Sequence, residues 1–335
     1  MFEPKVSVVL PVYNVAAYLP KCLDSLLNQT LKEIEIICVN DCSPDNSLEI
    51  LKQYAAKDNR VKIIDQTNTG PGVARNNGIK AATGEYVGFV DPDDWAEPEM
   101  FAKMYTAAIE QNADIVECGV KIYNEKSGKT KEKQGFAAVA ANKGFCAADY
   151  PEYVFEGITS GWNKLCRRAF LLENDIYYSD GRAAEDHYFS IAARLKAKTA
   201  VCLPDALYNY FVRASSLTHS PSKVNLAVPL FLAEIAVLIG KWEGREQNRN
   251  PLPSLFACNA AGLAAIHYRR VPVENRAEYL ALCAQKLPAE ANRLFTDFIK
   301  PYTLKDNLFS IRYTVKGIQK YKVISILGLK FRVKA

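Results

Sequence analysis

The chain has 335 residues, of which 49% are hydrophobic and 24% are charged, and these proportions exclude an intrinsically disordered chain. Its net charge of +5 is unevenly distributed, because residues 302–335 carry eight basic residues and one acidic residue, or +7. The other 301 residues carry 34 basic and 36 acidic residues, or −2. A slightly acidic body argues against a nucleic-acid-binding protein, whose basic residues normally cover the folded domain.

Length and cysteine content bound the organisation of the chain and its compartment. A chain of 335 residues suits two domains, or one large domain with an extension. The nine cysteines include no C-x-x-C pair and follow no signal peptide, so we expect free thiols in the cytoplasm. The most apolar window, residues 227–240, contains Pro229 and Glu234 and is too short for a bilayer, so we expect no transmembrane helix.

The first third of the chain alternates predicted strands and helices. Apolar, β-branched runs predict strands at 6–10, 34–39, 61–65, 86–90 and 114–118. Helical spacing of apolar residues predicts helices at 16–29, 45–57, 71–84 and 98–112. Repeated βα units predict an α/β fold with a mostly parallel sheet flanked by helices. Such sheets bind ligands beyond the carboxyl ends of their strands.

The rest of the chain changes from mixed to helical. We predict a loop or hairpin at 125–133, a short strand and helix within 161–172, a helix at 184–195 and a strand at 200–211. Three helical stretches follow, at 226–242, 254–268 and 274–298. They predict a helical extension after the α/β domain.

The first two predicted strands end in residues that suit a nucleotide. Pro11-Val12-Tyr13-Asn14 contains no glycine, which argues against the glycine-rich turn of a dinucleotide-binding fold. Tyr13 and Asn14 offer an aromatic face and an amide to a base, although a plain strand-to-helix turn would also explain them. Asp41 follows the second strand, where its carboxylate can accept hydrogen bonds from a nucleobase or a ribose. The alternative for Asp41 is a helix cap, which later residues already supply.

Three carboxylates follow the fourth predicted strand within four positions: Asp91, Asp93 and Asp94. Like charges this close disfavour one another unless a cation neutralises them. Mg²⁺ and Mn²⁺ bind through one or two carboxylates together with substrate phosphates. We therefore predict a divalent-cation site here rather than an acidic turn.

Together these motifs form an ordered set. It consists of Pro11-Val12-Tyr13-Asn14, Asn40-Asp41, Asn68-x-Gly70, Ala74-Arg75-Asn76 with Gly78, Gly84-Glu85-Tyr86 and Asp91-x-Asp93-Asp94. The set resembles the family 2 glycosyltransferases of GT-A fold, closely over the first third of the chain and through further motifs to about residue 220. The resemblance implies a GT-A nucleotide-sugar-binding domain at 1–220, followed by a helical extension at 221–301 and a basic tail at 302–335.

The resemblance also implies roles on the donor side of the site. Asp41 matches the position that reads the nucleobase, usually uracil. Asp91 matches the first carboxylate of the D-x-D motif, which faces the ribose and nucleotide and is a second candidate metal ligand. Asp93 matches the carboxylate that holds Mn²⁺ or Mg²⁺. Arg75 would fix the nucleotide or Asp91, or else it is a solvated helix arginine. The nucleotide sugar would also contact residues at the first strand end: Pro11, Tyr13 and Asn14.

Downstream segments extend the resemblance to the acceptor side. Asn163 and Lys164 would contact the donor or its diphosphate, or form a basic surface turn. Glu185-Asp186 matches a pair whose aspartate takes the proton of the acceptor hydroxyl, so Asp186 is the predicted base and Glu185 the second candidate. Two residues after the last strand would approach the diphosphate or the metal: Arg213 and His219. The other histidines, His187 and His267, are expected to be ordinary structural residues.

We therefore expect a metal-dependent inverting glycosyltransferase. The donor would be a nucleotide sugar, in the first instance a UDP-sugar, and the acceptor a saccharide or lipid-linked hydroxyl in lipopolysaccharide, capsule or exopolysaccharide synthesis. The Q-x-x-R-W motif of processive synthases is absent. The alternatives are a nucleotide-sugar-binding pseudoenzyme, a sugar-phosphate nucleotidyltransferase and a non-catalytic interaction protein. The oligomeric state stays open.

The basic tail has its own pattern. Apolar residues with 3-4-3 spacing predict one helix face: Leu308, Ile311, Val315 and Ile318. Basic residues at i, i+4 and i+8 predict another: Arg312, Lys316 and Lys320. Residues 329–334 alternate apolar and basic residues, which is typical of a strand. We predict a basic amphipathic helix that holds the enzyme peripherally on the cytoplasmic face of a membrane, with a helix packed on the body as the alternative.

Overall fold

The computed structural model describes residues 3–136, 143–179, 185–213, 222–242 and 251–299, and the backbone of strands 309–316, 319–326 and 329–334. These residues form two compact units. The first contains the described residues up to 213 except 150–156, and the second contains 150–156 and the described residues from 222 onward. The predicted three-way division at residues 220 and 301 stays a prediction.

The first unit is built on a nine-stranded sheet. Its strands in chain order are β1 (Val6–Val12), β2 (Ile34–Asn40), β3 (Val61–Asp65), β4 (Tyr86–Phe89), β5 (Trp95–Ala96), β6 (Ile115–Asn124), β7 (Thr130–Lys133), β8 (Lys164–Arg167) and β9 (Ala200–Val212). β3, β2, β1 and β4 lie in that order and run parallel. β8 is antiparallel to β4 and β6, whereas β9 is parallel to β6. The α/β prediction is confirmed, and the parallel arrangement gives way to a mixed sheet after β4.

Six α-helices in the described part of the chain belong to the same unit. They are α1 (Leu19–Leu27), α2 (Ser47–Lys57), α3 (Pro71–Ala81), α4 (Met100–Glu110), α5 (Arg168–Glu173) and α6 (Glu185–Lys196). Every residue of β1 and β2 is buried, which explains the unbroken apolar runs in the sequence. Helix α3 packs so closely on β1 that a Cβ on Gly78 would overlap the side chain of Val9. This close approach explains a glycine in the middle of a helix.

Within its described residues, the second unit contains four α-helices where three helical stretches were predicted. They are α7 (Val228–Gly240), α8 (Leu252–Tyr268), α9 (Arg276–Lys286) and α10 (Ala289–Ile299). The single helix expected over 274–298 is wrong, because Pro288 separates α9 from α10. Proline lacks the backbone N–H that an unbroken helix needs, and it disfavours a helical conformation in the residue before it.

The tail forms strands where a helix was predicted. β10 (Phe309–Lys316), β11 (Gln319–Ile326) and β12 (Leu329–Lys334) make an antiparallel three-stranded sheet. The helix expected from the 308–320 pattern is therefore wrong, whereas the strand expected at 329–334 is confirmed. The β-branched and aromatic residues that fill β10 and β11 favour a pleated backbone over a helix.

Among the described residues, one segment is long and apolar enough to cross a membrane on length and composition alone. It is Lys223–Gly240, with a mean hydropathy of 1.8. Its residues Phe231, Leu232 and Ile235 are fully buried inside the second unit. A core helix passes the same test of length and composition, so the expectation of no transmembrane helix stays a prediction.

Candidate active site

The carboxyl ends of β1 and β2 lie side by side, with Val12 opposite Asn40. Tyr13, which follows β1, has 48% of its surface exposed, whereas Pro11 is buried inside the strand. Asn14 has a φ of 54°, a left-handed conformation that asparagine adopts more readily than most residues. This conformation turns the chain sharply out of the sheet and leaves both Tyr13 and Asn14 exposed at its edge.

Asp41 follows β2 and holds the loop that leads into α3. Asp41 is buried by its neighbours, with only 3% of the residue exposed. Oδ1 accepts hydrogen bonds from the Thr69 N–H and Gln66 Nε2, each at 2.8 Å, and Oδ2 accepts one from the Gly70 N–H at 2.8 Å. Gly70 has a φ of 93°, which favours glycine at this position. No sequence pattern predicts this loop contact.

Asp94, directly before β5, has a structural role. Only 1% of it is exposed. Its Oδ2 accepts the Tyr208 hydroxyl proton at 2.6 Å, and its Oδ1 accepts the Phe211 N–H at 2.7 Å. Burial and the charges of Asp91 and Asp93 raise its pKa well above the usual range. Asp94 thus connects residues 91–94 to β9 by hydrogen bonds and does not face solvent.

Asp93 pairs with an arginine at the end of β9. Arg213 Nε lies 2.8 Å from Asp93 Oδ2, and the side chains are 24% and 17% exposed respectively. Burial and the charge of Asp91 raise the pKa of Asp93, and Arg213 lowers it in part. The structure therefore brings Arg213 to the predicted metal carboxylate.

Arg75 contacts both an acidic residue after β4 and the start of α6. Its Nη2 donates to Asp91 Oδ1 at 2.7 Å, and its Nη1 donates to Glu185 Oε1 at 3.0 Å. Its side chain is only 9% exposed, and its guanidinium lies over the ring of Tyr178 at 5.1 Å. Burial lowers the pKa of Arg75, but the charge of Asp91 and then those of Tyr178 and Glu185 outweigh it and raise the pKa. Arg75 is not the solvated helix arginine of the alternative interpretation.

Glu185 and Asp186 begin α6, and their environments separate their pKa values. Burial and the charge of Asp186 raise the pKa of Glu185. Burial also raises that of Asp186, but the hydrogen bond and charge of His187 and the charge of Arg75 outweigh it, so its pKa is lowered. His187 Nδ1 lies 3.2 Å from Asp186 Oδ1. A lowered pKa keeps Asp186 ionised, the form that a general base needs.

Two predicted donor contacts lie inside the protein instead. Asn163 and Lys164 are both 0% exposed. Asn163 Nδ2 donates to Cys118 O at 2.9 Å, and Lys164 Nζ donates to the carbonyl oxygens of Ile158 and Ser160 at 2.8 and 2.6 Å. The structure thus does not bring these two residues to the exposed edge, nor does it make them a surface turn. His219 lies outside the described residues.

The aromatic residues of β9 were missed in the sequence. The ring of Trp162 stacks on Tyr208 with centroids 4.4 Å apart, and on Tyr210 with centroids 5.5 Å apart. Tyr208 also accepts the Asp91 N–H at 3.1 Å. Alternate residues of a strand share a face, so the spacing of Tyr208 and Tyr210 was the available signal. His187 was expected to be an ordinary structural residue, and its contact with Asp186 was also missed.

The carboxylates of Asp91 and Asp93 fit a divalent cation whose remaining coordination positions are filled by a bound ligand. Within the described ranges, no group of three or more His, Cys, Asp or Glu side chains is placed to hold a metal by itself. Asp91 and Asp93 nevertheless supply two hard oxygen donors, and burial leaves the negative charge of Asp93 poorly solvated. Mg²⁺ and Mn²⁺ bind such pairs when phosphate oxygens complete the octahedron.

Comparison with known proteins agrees with this architecture. The family described as Glycosyl transferase family 2 matches residues 7–173. The chain belongs to this family. It is 39% identical over 226 residues to the uncharacterized glycosyltransferase EpsJ of Bacillus subtilis, a match that covers 66% of this chain and 64% of EpsJ. The resemblance read from the motifs is therefore confirmed.

Two solved structures have a similar fold. One is TarS residues 1–349 of Staphylococcus aureus in complex with UDP-GlcNAc, with a TM-score of 0.70, 23% identity and 99% of each chain covered. The other is the mannosyltransferase PcManGT of Pyrobaculum calidifontis in complex with GDP-Man and Mn²⁺, with a TM-score of 0.54 and 16% identity over 88% of this chain and 79% of that one. They confirm the GT-A fold of this family 2 member.

Proposed function

We propose that the chain transfers a sugar from a nucleotide sugar to an acceptor hydroxyl, with inversion at the anomeric carbon. The observation that carries the proposal is Arg75, which contacts Asp91 after β4 and Glu185 at the start of α6. These two contacts support a site in which the carboxylates suited to a metal and diphosphate lie beside those suited to a general base. The family membership supports glycosyl transfer, and the complex of TarS with UDP-GlcNAc supports a UDP-sugar as the donor.

The donor nucleotide would bind at the ends of β1 and β2. The exposed Tyr13 ring offers a face for stacking, and Asn14 offers an amide. A carboxylate oxygen accepts two hydrogen bonds, so Asp41 Oδ2 can accept a base imide N–H in addition to the Gly70 N–H. Arg75 would orient Asp91 toward the ribose.

The diphosphate would lie beyond Asp91 and Asp93. These two carboxylates, with the phosphate oxygens, would hold Mn²⁺ or Mg²⁺, and the bound ion would neutralise the charge of the leaving nucleoside diphosphate. The Mn²⁺ in the PcManGT complex supports such a cofactor. Arg213, which pairs with Asp93, is within reach of a diphosphate oxygen bound beside that carboxylate.

Asp186 would act as the general base. Its carboxylate takes the proton of the acceptor hydroxyl while that oxygen bonds to the anomeric carbon. The bond between the anomeric carbon and the phosphate oxygen breaks on the opposite face, and the nucleoside diphosphate leaves with that electron pair. Glu185 is the second carboxylate of the pair. Because Arg75 holds it, Glu185 would help to position Asp186.

Nucleotide release is the direct test. Purified protein with UDP-glucose or UDP-GlcNAc, Mn²⁺ and a panel of alkyl glycosides should release UDP, and Asp186→Asn should lower turnover by about a hundredfold or more. Asp186→Asn should bind UDP as the unchanged protein does, whereas Asp93→Asn should weaken that binding. Asp205→Asn, at an exposed ion pair with Lys103, is the matched control. Full turnover by Asp186→Asn would refute the assignment, and UDP binding without turnover would identify a pseudoenzyme.

We propose that the tail sheet associates with an anionic membrane surface on the cytoplasmic side. Residues directly opposite each other in an antiparallel pair share a face. The register places five basic residues on one face: Arg312, Lys316, Lys330, Arg332 and Lys334. The other face carries mainly apolar residues, among them Ile311, Ile324 and Phe331. The strands contain no acidic residue, so the basic face would attract anionic lipid. A lipid-linked acceptor would be found at such a surface.

Vesicle binding tests this proposal. Sedimentation with phosphatidylglycerol vesicles should fall by at least tenfold when Arg312, Lys330 and Arg332 are changed to Gln, since each basic residue contributes about 1 kcal/mol near an anionic surface. A triple Lys→Gln variant at Lys52, Lys57 and Lys126 controls for net charge. Equal losses in both variants, or no loss in the first, would contradict a specific basic face.

A further inference from the structure

Three charged side chains that the proposed chemistry does not use lie wholly inside the first unit. Glu117 on β6, Lys164 on β8 and Arg194 on α6 are each 0% exposed. Arg194 donates to both oxygens of Glu117, with Nε–Oε1 at 2.8 Å and Nη2–Oε2 at 2.7 Å, and Lys164 Nζ lies 3.8 Å from Glu117 Oε1. Two buried cations against one anion are costly unless other groups offset the extra positive charge.

Backbone carbonyl oxygens of residues 158–160 offset that charge. Lys164 Nζ donates to Ile158 O and Ser160 O, and Arg194 Nη2 donates to Ile158 O at 2.8 Å. The third ammonium proton of Lys164 goes to Asn163 Oδ1 at 3.0 Å, so all three of its donors are used inside the protein. Charge-assisted hydrogen bonds therefore fix this segment, which belongs to no strand or helix.

The same segment contacts the proposed base. Thr159 Oγ1 lies 3.1 Å from His187 Nε2, and the other ring nitrogen, Nδ1, contacts Asp186 Oδ1. The Ser160 side chain also hydrogen-bonds Asp186. His187 and Arg194 are seven residues apart on α6, which places them two turns apart on one face. Both contact the segment, so the buried ions and the base meet it from the same helix.

We propose that the ion cluster of Glu117, Lys164 and Arg194 positions Asp186 for catalysis through residues 158–160 and His187. The proposal rests on the proposed function, because it takes Asp186 to be the base. Nδ1 of His187 faces the Asp186 carboxylate and carries a proton there, while the Thr159 hydroxyl contacts Nε2 and fixes the ring. That N–H donates to one oxygen of Asp186 and leaves the other to receive the acceptor proton. Lys164 is then a positioning residue rather than a ligand of the donor.

A pH profile reports on this arrangement. Burial raises the pKa of Asp186, but the hydrogen bond and charge of His187, the charge of Arg75 and the hydrogen bond of Ser160 outweigh it and lower the pKa. The other ionisable groups that face Asp186 are Glu185, Tyr178 and Tyr210. A base acts in its ionised form, so activity is lost as the pH falls through its pKa. Weakening the His187 contact should raise that pKa and move the acid limb of kcat to higher pH.

Thr159→Val and Thr159→Ser form the decisive pair, because only the first removes the hydroxyl. Thr159→Val should lower kcat at pH 7 by about tenfold and move the acid limb up by about one pH unit, with the donor KM unchanged. Thr159→Ser should restore both values. An unshifted acid limb in Thr159→Val would overturn the proposal, as would a loss that Thr159→Ser shares equally. Full turnover by Asp186→Asn would instead refute the proposed function.

The ion cluster is tested separately with Lys164→Met. It should shift the acid limb in the same direction as Thr159→Val and leave the Kd for UDP unchanged, and the double variant should shift it no further than either single variant. Lys133→Met, which removes an exposed hydrogen bond to the preceding carbonyl, Gly157 O, is the control and should leave the limb unchanged. A weaker Kd for UDP with an unshifted limb would mean that Lys164 contacts the donor and would overturn the proposal. If Lys164→Met does not fold, the Thr159 pair decides alone.

Discussion

Removing Arg75 should destabilise the first unit in a pH-dependent way. Its guanidinium makes charge-assisted hydrogen bonds to Asp91 at 2.7 Å and to Glu185 at 3.0 Å, and these carboxylates are only 24% and 15% exposed. Arg75→Met fills a similar volume but leaves both carboxylates without their cation. The change therefore separates the loss of charge from the loss of packing.

The size of the effect follows from this burial. Breaking a buried ion pair by removing one partner costs about 3–5 kcal/mol. Part of this loss is recovered, because the guanidinium no longer has to be buried. We expect a loss of about 3 kcal/mol at pH 7, which is roughly 6–12 °C in Tm for a unit of this size. The Arg75 guanidinium is attracted to Asp91 and Glu185 only while these carboxylates are ionised. The pKa of Glu185 is raised. The loss should therefore shrink as the pH falls through that pKa.

Thermal unfolding followed by circular dichroism at pH 7.5 and pH 4.5 measures both quantities. Arg60→Met is the matched control, since Arg60 is 16% exposed, forms an ion pair with the nearby Asp58 and donates one hydrogen bond to Leu27 O at 3.1 Å. Its loss should be about 1 kcal/mol. An Arg75→Met loss no larger than that of Arg60→Met, or one that is equal at both pH values, would refute the reasoning.

Three further predictions concern stability, the metal and the nucleotide. Burial raises the pKa of Glu35, but hydrogen bonds from Lys62, Ser7 and Thr83 outweigh it and lower the pKa to about 2. Glu35→Gln should therefore cost roughly 3 kcal/mol above pH 4.5, a difference that disappears in acid denaturation curves as the pH falls toward 2. Arg213→Gln should raise the affinity for Mn²⁺ alone by about fivefold, because Asp93 loses its partner, and calorimetry that shows no change would contradict this. Chelation with EDTA should weaken UDP binding but not uridine binding, and an equal effect on both would exclude a metal contact with the diphosphate.

Most of the fold could be predicted because its periodicity is unambiguous. Apart from the two-residue β5, which was not predicted, the strands and helices from β1 to α4 follow apolar runs and helical spacing. The tail could not be resolved in the same way. Ile311 and Val315, or Arg312 and Lys316, lie four residues apart, and this spacing puts both members on one face of a helix and on one face of a strand. Pattern alone therefore fits either backbone.

The carboxylates of the candidate site were predictable as residues, but their partners were not. Strand ends placed Asp41, Asp91 and Asp93 at one edge, because parallel strands share the position of their carboxyl ends. The partner of each carboxylate depends on elements far apart in the chain, as the 110 residues between Arg75 and Glu185 illustrate. No local pattern encodes such a contact.

Lys164 illustrates a different limit. In the sequence it lies close to two arginines and therefore resembles an anion-binding turn. Its burial depends on its place in β8, between β4 and β6, and on Arg194 and Glu117 reaching it from other elements. A basic residue is rarely buried unless it is paired, and the pairing is visible only once the sheet order is known.

The charges of the site explain why a diphosphate would need a cation there. Two arginines of the candidate site, Arg75 and Arg213, form ion pairs with the carboxylates of Asp91, Asp93 and Glu185. Asp186 adds a fourth carboxylate, with a lowered pKa that keeps it ionised. A diphosphate that approached these groups alone would add negative charge to an edge that its own arginines do not fully neutralise. A phosphate that drew Arg213 away from Asp93 would leave that carboxylate in need of another cation. Metal binding and diphosphate binding at this edge should therefore favour each other.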